Sequence, residues 1–448
     1  MSNAIRVKKL PKDTGPAGWD AILRPGRSFP ELDNTIRADW VVIGAGFAGL
    51  AAARRLSQLR GGDKIVLLEA AQLAQGPSGR NSGFMIDLPH ELNSETYAGG
   101  QEEDLKQIRL NRAAIDFAGE MAEEFGLGSM VFGRHGRVTG AATAKGEKHI
   151  QSYCSHLDGL QESYELLDAE AMQALTGIEY YRRGLFTAGA AMIQPAAFVR
   201  EIAAGLSKQV AIFENSPVIE INTGPVHRIS TPKGQVEAPK IILAVNGHIQ
   251  SFGFLPKRLM HLFTYASMTR ALSAHEVKRL GGKPNWGVLP ADPMGTTVRR
   301  VSDYRGSGDR LTVRNRFTLN QSMEVSPAEL QRVIKDHDQA FNARFPMLSG
   351  VAMEHRWGGR LCLSLNSVPV FGELEQGIYS AACQNGLGAV KGTLSGMLAA
   401  EMAVEGKTPM VSEYLAYDAP KRLPPEPFLS VGANMTLRWK EWRAGIEL

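Results

Sequence analysis

The chain has 448 residues, 44% of them hydrophobic, and a formal net charge of +4. That length supplies a large core and two or three domains, and so small a charge with no tract of Lys and Arg excludes nucleic acid as the expected partner in favour of a small molecule. Cys154, Cys362 and Cys383 are too few and too scattered for a disulfide framework or a metal site, no apolar window reaches the roughly twenty residues of a membrane span, and residues 1–10 lack a signal-peptide core, which together predict a cytoplasmic protein without an integral membrane segment.

Residues 1–36 hold Pro11, Pro16, Pro25 and Pro30 among glycines and charges and are expected to form an irregular arm laid over the body. Trp40-Val-Val-Ile43 then runs into Gly44-Ala45-Gly46-Phe47-Ala48-Gly49 and an alanine-rich helical pattern. In such a strand–loop–helix, Gly44 permits the tight turn, Gly46 lets the backbone approach a pyrophosphate, and Gly49 lets the helix lie on its strand. Residues 64–69 read as the second strand, and they place Glu69 about twenty residues beyond Gly49, where a ribose hydroxyl can be held. This fingerprint predicts a bound dinucleotide and does not choose between NAD and FAD; read as structure alone, the glycines only tighten a turn. A second glycine-rich loop follows, Gly76-Pro-Ser78-Gly79-Arg80-Asn81-Ser82-Gly83, with backbone N–H groups and one guanidinium to offer an anionic or carbonyl-bearing ring, or simply a solvated surface.

Apolar residues at helical spacing predict a long helix over 101–125, ended by Gly126 and Gly128. A strand at 131–139, a helix at 145–160, a strand at 163–167 and a short helix capped by Asp168 follow, without a second fingerprint, and so suggest a separate domain. Gln194-Pro195 opens a helix through 206. The strands 210–213, 218–222, 226–231, 235–238 and 240–245 read as a β-meander ending in a buried run closed by Asn246-Gly247. Strands of a second sheet are expected within 259–272 and 296–318, with a helix over 327–345. Trp357-Gly-Gly-Arg360, Val368-Pro-Val-Phe-Gly372 and a strand from Ile378 lead to Gly386-Leu387-Gly388, which opens a small-residue helix whose N-terminus is a closely approachable positive site. Trp439 and Trp442 lie in an expected terminal helix.

These motifs resemble those of the flavin-dependent amine and amino-acid oxidases of the D-amino-acid-oxidase type, and among them the γ-glutamylputrescine oxidase-like branch. The resemblance is carried by the arm, Gly44 to Gly49, Glu69, the loop Gly76 to Gly83, the helix after Pro195 with Glu214-Asn-Ser-Pro-Val218, the run 241–247, and Trp357-Gly-Gly through Gly388. It implies an α/β chain, α+β overall, with a glutathione-reductase-like FAD-binding Rossmann domain from residues 37–85, 190–250 and 355–410. A substrate domain with an antiparallel sheet would come from 86–189 and 251–354, with a tail at 411–448. By position, the resemblance assigns Gly44, Ala45, Gly46, Phe47, Ala48 and Gly49 to the pyrophosphate, and Glu69 with Ala70 to the adenosine ribose. Ser78, Gly79, Arg80, Asn81, Ser82 and Gly83 fall to the flavin side and Val218 to the adenine. Ala244 and Gly247 fall to the cleft, and Gly386, Leu387, Gly388 and Val390 to the pyrimidine edge of the ring. Gly359 stands where oxidases that bind flavin covalently have a cysteine, so the FAD is expected to be non-covalent. Val390 and the region of Pro89 stand where sarcosine oxidases place a lysine and an arginine, which speaks against sarcosine or glycine as substrate.

Oxidation of an amine by flavin needs the α C–H bond held against the ring in a dry pocket, so the protein contributes orientation and electrostatics. Asp87, His90 and Glu91 are candidates for holding a second ammonium, or polar residues of a loop. His261 and Tyr265 alternate on a predicted strand and are candidates for one face of the site, or for core. Arg299, Arg300, Arg305, Arg310, Arg314 and Arg316 would clamp a carboxylate if they turned inward, or form a solvated face. The expected activity is oxidation of a primary or secondary amine, or an amino acid, to an imine that hydrolyses to an aldehyde or oxo-acid, with O2 reduced to H2O2. Alternatives are a dehydrogenase passing electrons to a quinone or an electron-transfer protein and, from another class, a non-catalytic dinucleotide-binding protein.

Overall fold

The computed structural model describes residues 4–89 and 99–448. A six-stranded sheet lies at its centre, in the order Val210–Phe213, Ile65–Leu68, Trp40–Ile43, Lys240–Leu243, Ile378–Ala382 and Val370–Glu375. The first five strands run parallel and the last is antiparallel to its neighbour. Strands Trp40–Ile43 and Ile65–Leu68 are buried at every position, as a parallel sheet covered on both faces requires. The helices Phe47–Leu59 and Gly388–Glu405 pack together on this sheet, and small residues set their separation. A Cβ at Gly396 would lie 1.9 Å from the Ala48 carbonyl oxygen, so only glycine allows the two backbones to approach so closely.

The eight-stranded sheet has the order Met353–Ser364, Leu259–Thr269, Arg310–Leu319, Thr297–Val301, Trp286–Pro290, Arg137–Ala141, Arg183–Thr187 and Glu165–Leu167. All its pairings are antiparallel except that of Trp286–Pro290 with Arg137–Ala141. The helix Pro327–Arg344, opened by the capping box of Ser326 and Glu329, packs on the first three of these strands. Strand Met353–Ser364 belongs to this sheet, so the chain crosses to the six-stranded sheet only after Ser364 and not at residue 355.

Two further expectations change. Only Glu220–Asn222, His227–Ser230 and Gln235–Ala238 form a meander, because the flanking runs 210–213 and 240–243 are strands of the central parallel sheet. The arm is not wholly irregular: its strands Ala4–Arg6 and Thr35–Arg37 pair with the two sides of that meander to complete a five-stranded sheet. Between them the short helix Gly18–Ala21 buries Trp19, whose ring meets Trp357 edge-on at 6.4 Å. The tail forms the helix Phe428–Ala444, seated against Arg310–Leu319. No described helix is long and apolar enough to cross a membrane.

Candidate active site

A cavity of about 550 Å³ runs between the C-terminal ends of the central parallel strands and the near edge of the eight-stranded sheet. Its floor is the loop after Trp40–Ile43. Gly44 has φ +98°, and a Cβ there would lie 2.7 Å from the Ala244 carbonyl oxygen, so the turn admits only glycine. A Cβ at Gly49 would sit 1.7 Å from the Gly44 carbonyl oxygen, which places Gly49 outside the lining, in the contact that seats the helix on its strand. Ala45, Gly46, Phe47 and Ala48 line the cavity and bring the positive end of helix Phe47–Leu59 to it.

Glu69 and Ala70 line the same end. The Glu69 carboxylate accepts N–H bonds from Ala45 at 2.8 Å and Ala71 at 3.2 Å, bracing the glycine loop. Burial pushes its pKa up, and these backbone bonds pull against that shift. Val218, Ala244 and Gly247 continue the wall, and Gly386 and Gly388 close the far end at the start of helix Gly388–Glu405. Leu387 and the buried Val390 lie just behind that end, outside the lining.

Ser78, Arg80 and Asn81 line the cavity, while Gly79, Ser82 and Gly83 lie outside the lining and shape the loop. The Ser78 hydroxyl accepts the Phe47 N–H at 3.1 Å, and Asn81 spans its own loop by donating to the Ser78 carbonyl and accepting the Gly83 N–H, each at 2.8 Å. A Cβ at Gly79 would lie 1.9 Å from the Ala74 carbonyl oxygen, which keeps the turn compact. Arg80 is buried, and its guanidinium is taken up by backbone carbonyls around the cavity. It donates to the carbonyls of Gln75 (2.6 Å), Gly358 (3.2 Å), Thr14 (3.4 Å) and Gly15. Arg80 thereby ties the loop to the arm and to strand Met353–Ser364.

The wall facing this loop contains His261, His248, Arg360 and Cys362. His261 Nε2 meets the Gln250 side-chain oxygen at 2.8 Å, so Nε2 carries the proton and Nδ1 is the ring's acceptor. Burial first, then the nearby Arg360 and Lys9 charges, push the His261 pKa down to about 4, and burial with Arg360 pushes His248 down to about 3. Both rings are therefore neutral at pH 7. Arg360 donates to His248 Nε2 and, at 2.7 Å, to Asp13 of the arm. Gly359, beside the Arg80 carbonyl, offers no thiol, and Cys362 lies three positions on, buried at the cavity wall.

Three expectations are corrected by this geometry. Tyr265 shares the strand Leu259–Thr269 with His261, but it packs with Phe263, Val325 and Val333 and shares a 2.6 Å hydrogen bond with Thr318. Four residues of strand span about 13 Å, so a common strand does not make a common site. Asp87 is fully buried behind the strand Phe84–Met85, where it accepts from Arg112 at 3.0 Å, outside the lining. The arginines turn to internal partners and none of them lines the cavity. Arg299 donates to the Ile193 and Ser82 carbonyls at 2.7 and 2.9 Å between the Trp19 and Phe84 rings, with its pKa lowered to about 10 by burial. Arg300 reaches Asp309, Arg305 reaches Glu201, Arg310 reaches Glu354, Arg314 lies over Phe317, and Arg316 pairs with Asp336 and Glu441. His90 and Glu91 lie outside the described residues.

The sequence reading missed the arm's share of the wall: Val7, Lys9, Leu10, Pro11, Asp13, Gly15 and Pro16 all line the cavity. The one local signal was the spacing of prolines and glycines, which marks an extended segment without saying what it covers.

Taken together, a glycine turn at a helix N-terminus, an acid at the end of the next strand, a second helix N-terminus at the far end of the cavity and largely apolar walls fit an extended dinucleotide carrying a flat ring. The chain matches the FAD dependent oxidoreductase (DAO) family over residues 39–402. It is 28% identical over 385 residues to the probable oxidoreductase OrdL of Haemophilus influenzae, covering 83% of this chain and 84% of that protein. It is 25% identical over 426 residues to the gamma-glutamylputrescine oxidoreductase of Escherichia coli, covering 89% of this chain and 90% of that protein. Among solved structures, glycine oxidase from Geobacillus kaustophilus superposes with a TM-score of 0.67 at 17% identity, covering 87% of this chain and all (100%) of that one. L-proline dehydrogenase from P. horikoshii superposes at 0.63 and 16%, covering 86% and 97%. The chain therefore belongs to the FAD dependent oxidoreductase family.

Proposed function

We propose that this protein oxidises a primary or secondary amine, or an amino acid, at the carbon bearing nitrogen, giving an imine that hydrolyses in water to an aldehyde or oxo-acid. The observation that carries this reading is one cavity that joins the glycine loop and Glu69 to a wall of the second sheet where the buried, neutral His261 stands near Arg360. Bound FAD supplies the two-electron acceptor for the C–H bond. The chain's part is to bind, orient and keep water away.

In this reading the N–H groups at Gly46 and Ala48 would hold the pyrophosphate, Glu69 would accept from the ribose, and the N-terminus of helix Gly388–Glu405 would favour negative charge on the ring. His261, neutral with Nδ1 free of the Gln250 bond, accepts an N–H of the amine and so fixes which C–H faces the ring. The arm, held across the opening by Asp13 and Arg360, limits solvent access.

Reduction of the flavin by a panel of amines and amino acids without oxygen tests the reading. Loss of the yellow absorbance with at least one of them is expected, and a spectrum unchanged by the whole panel points instead to a dinucleotide-binding protein without turnover. Readmitting air separates acceptors. Stoichiometric H2O2 marks an oxidase, whereas recolouring only with a quinone or carrier protein marks a dehydrogenase.

A further inference from the structure

The helix Phe428–Ala444 is turned inside out. A surface helix normally buries its apolar stripe and shows its charges, yet here Phe428, Val431, Met435, Trp439, Trp442 and Ile446 recur at steps of three and four and are all exposed, Trp442 by 78% and Phe428 by 72%. The buried side is held largely by ions. Glu441 is buried beneath the helix and accepts from Arg316 at 2.7 Å, from the Phe317 N–H at 3.1 Å and from Arg438 at 2.9 Å. Just beyond the helix, Glu447 accepts the Ala142 and Thr143 N–H groups at 2.8 and 3.0 Å, and Arg344 donates to the Glu447 carbonyl at 2.8 Å. These anchors fix the helix at its C-terminal end, and Leu429 is buried near its start, so the outward stripe is its seated orientation.

The exposed charges of the helix itself have one sign. Arg438, Lys440 and Arg443 stand exposed or half-exposed along it, and the Arg443 guanidinium lies 4.8 Å over the Trp439 ring. The helix's own acid, Glu441, is the buried anchor, and the exposed acid at this end, Glu426, precedes the helix and accepts the Ser430 N–H at 3.2 Å. An anionic lipid surface satisfies both halves of the pattern: aromatic and aliphatic side chains enter the acyl boundary, and the basic groups meet the headgroup charge.

We propose that this helix docks the protein on an anionic phospholipid surface, lying in the interface and not crossing it. The FAD-loaded full chain should sediment with vesicles of phosphatidylcholine and phosphatidylglycerol, and at least about tenfold more weakly with phosphatidylcholine alone, since each basic group near such a surface contributes on the order of 1 kcal/mol. High salt should reduce the binding to the anionic vesicles. Trp19, Trp40, Trp286 and Trp357 are buried, so a blue shift on binding reports Trp439 and Trp442. Trp439→Gln with Trp442→Gln should abolish binding, and Lys440→Gln with Arg443→Gln should remove the preference for anionic lipid, with flavin content unchanged in both as the check on folding. The proposal is overturned if the wild type fails to bind anionic vesicles, or binds both kinds equally. It is also overturned if the wild type is a dimer that the tryptophan variant converts to monomer without any vesicle binding.

Discussion

At the scale of single residues, Gly49 offers the sharpest test of the dinucleotide loop. Its Cβ would lie 1.7 Å from a backbone oxygen of Gly44, which no rotamer can relieve, so Gly49→Ala must push the helix off its strand. A cost of about 1–3 kcal/mol is expected, together with loss of bound FAD, read as the ratio of flavin absorbance to protein absorbance after purification. His261→Ala removes a hydrogen-bond acceptor that is too weak a base to take a proton from an ammonium, since burial holds its pKa at about 4. It should lower kcat/KM for the amine by about tenfold, the worth of one hydrogen bond, and leave the shape of the pH–rate profile above pH 5 as in the wild type. A profile that loses a limb in the variant would contradict this role. The glycines and Glu69 are legible in sequence because what they do is local: a positive φ, a close approach, an acid at the end of the next strand. The surroundings of Arg80 and Asp87 are illegible for the opposite reason. Their partners are carbonyls and an arginine brought in by folding, the Arg80 partners at Gly15 and Gly358 and the Asp87 partner at Arg112, and nothing in the neighbouring residues announces them.

At the scale of elements, the arm is where local pattern failed and tertiary pairing decided. Strands of three residues, Ala4–Arg6 and Thr35–Arg37, are too short to show a period of two, and they exist because the meander leaves two edges for them to pair with. Between them the chain is extended by its prolines and becomes part of the cofactor's enclosure. Asp13 is its central tie, bonded to Arg360 at 2.7 Å and lying 3.9 Å from Arg80. Asp13→Ala leaves two buried guanidinium groups short of their counter-charge, a loss of about 3 kcal/mol for a buried pair. We expect faster FAD release from the variant and proteolytic cleavage within residues 8–16 at protease levels that leave the wild type intact. Release and cleavage unchanged from wild type would reduce the arm to a passive strap. The long helices, by contrast, are read well from sequence: Gln101–Glu124, Pro195–Leu206 and Pro327–Arg344 each carry a stripe, a cap or a first-turn proline that needs no distant partner.

For the whole molecule, the two sheets are threaded through one another, the chain passing between them several times, and the cavity lies where they meet. This accounts for the crossing after Ser364: strand Met353–Ser364 must first complete the wall opposite the flavin loop before the chain can return to the six-stranded sheet. Such interlocking couples the site to the stability of both layers, and two buried histidines make that coupling visible with pH. His261 lies at the cavity, and His337 lies on the helix behind the same sheet, sharing a 2.6 Å hydrogen bond with Ser267. Burial lowers their pKa values from 6.5 to about 4 and about 3. Unfolded, each ring takes up a proton near pH 6.5, whereas folded it does so only near pH 3 to 4. The unfolded state therefore binds more protons across that window. Stability is full above pH 6.5 and falls as the medium is acidified, by on the order of 1 kcal/mol per ring per pH unit. Thermal unfolding of the FAD-loaded protein should accordingly show a Tm that is level from pH 8 to 7 and drops by several degrees by pH 5. Carboxylates titrate in the lower part of this range, so the assignment rests on His337→Gln. That variant is less stable at pH 7, because the Ser267 bond is altered in the core, but it should lose distinctly less Tm than the wild type between pH 7 and 5. Parallel Tm curves for the two proteins would show that the ring at 337 takes no part in the acid sensitivity.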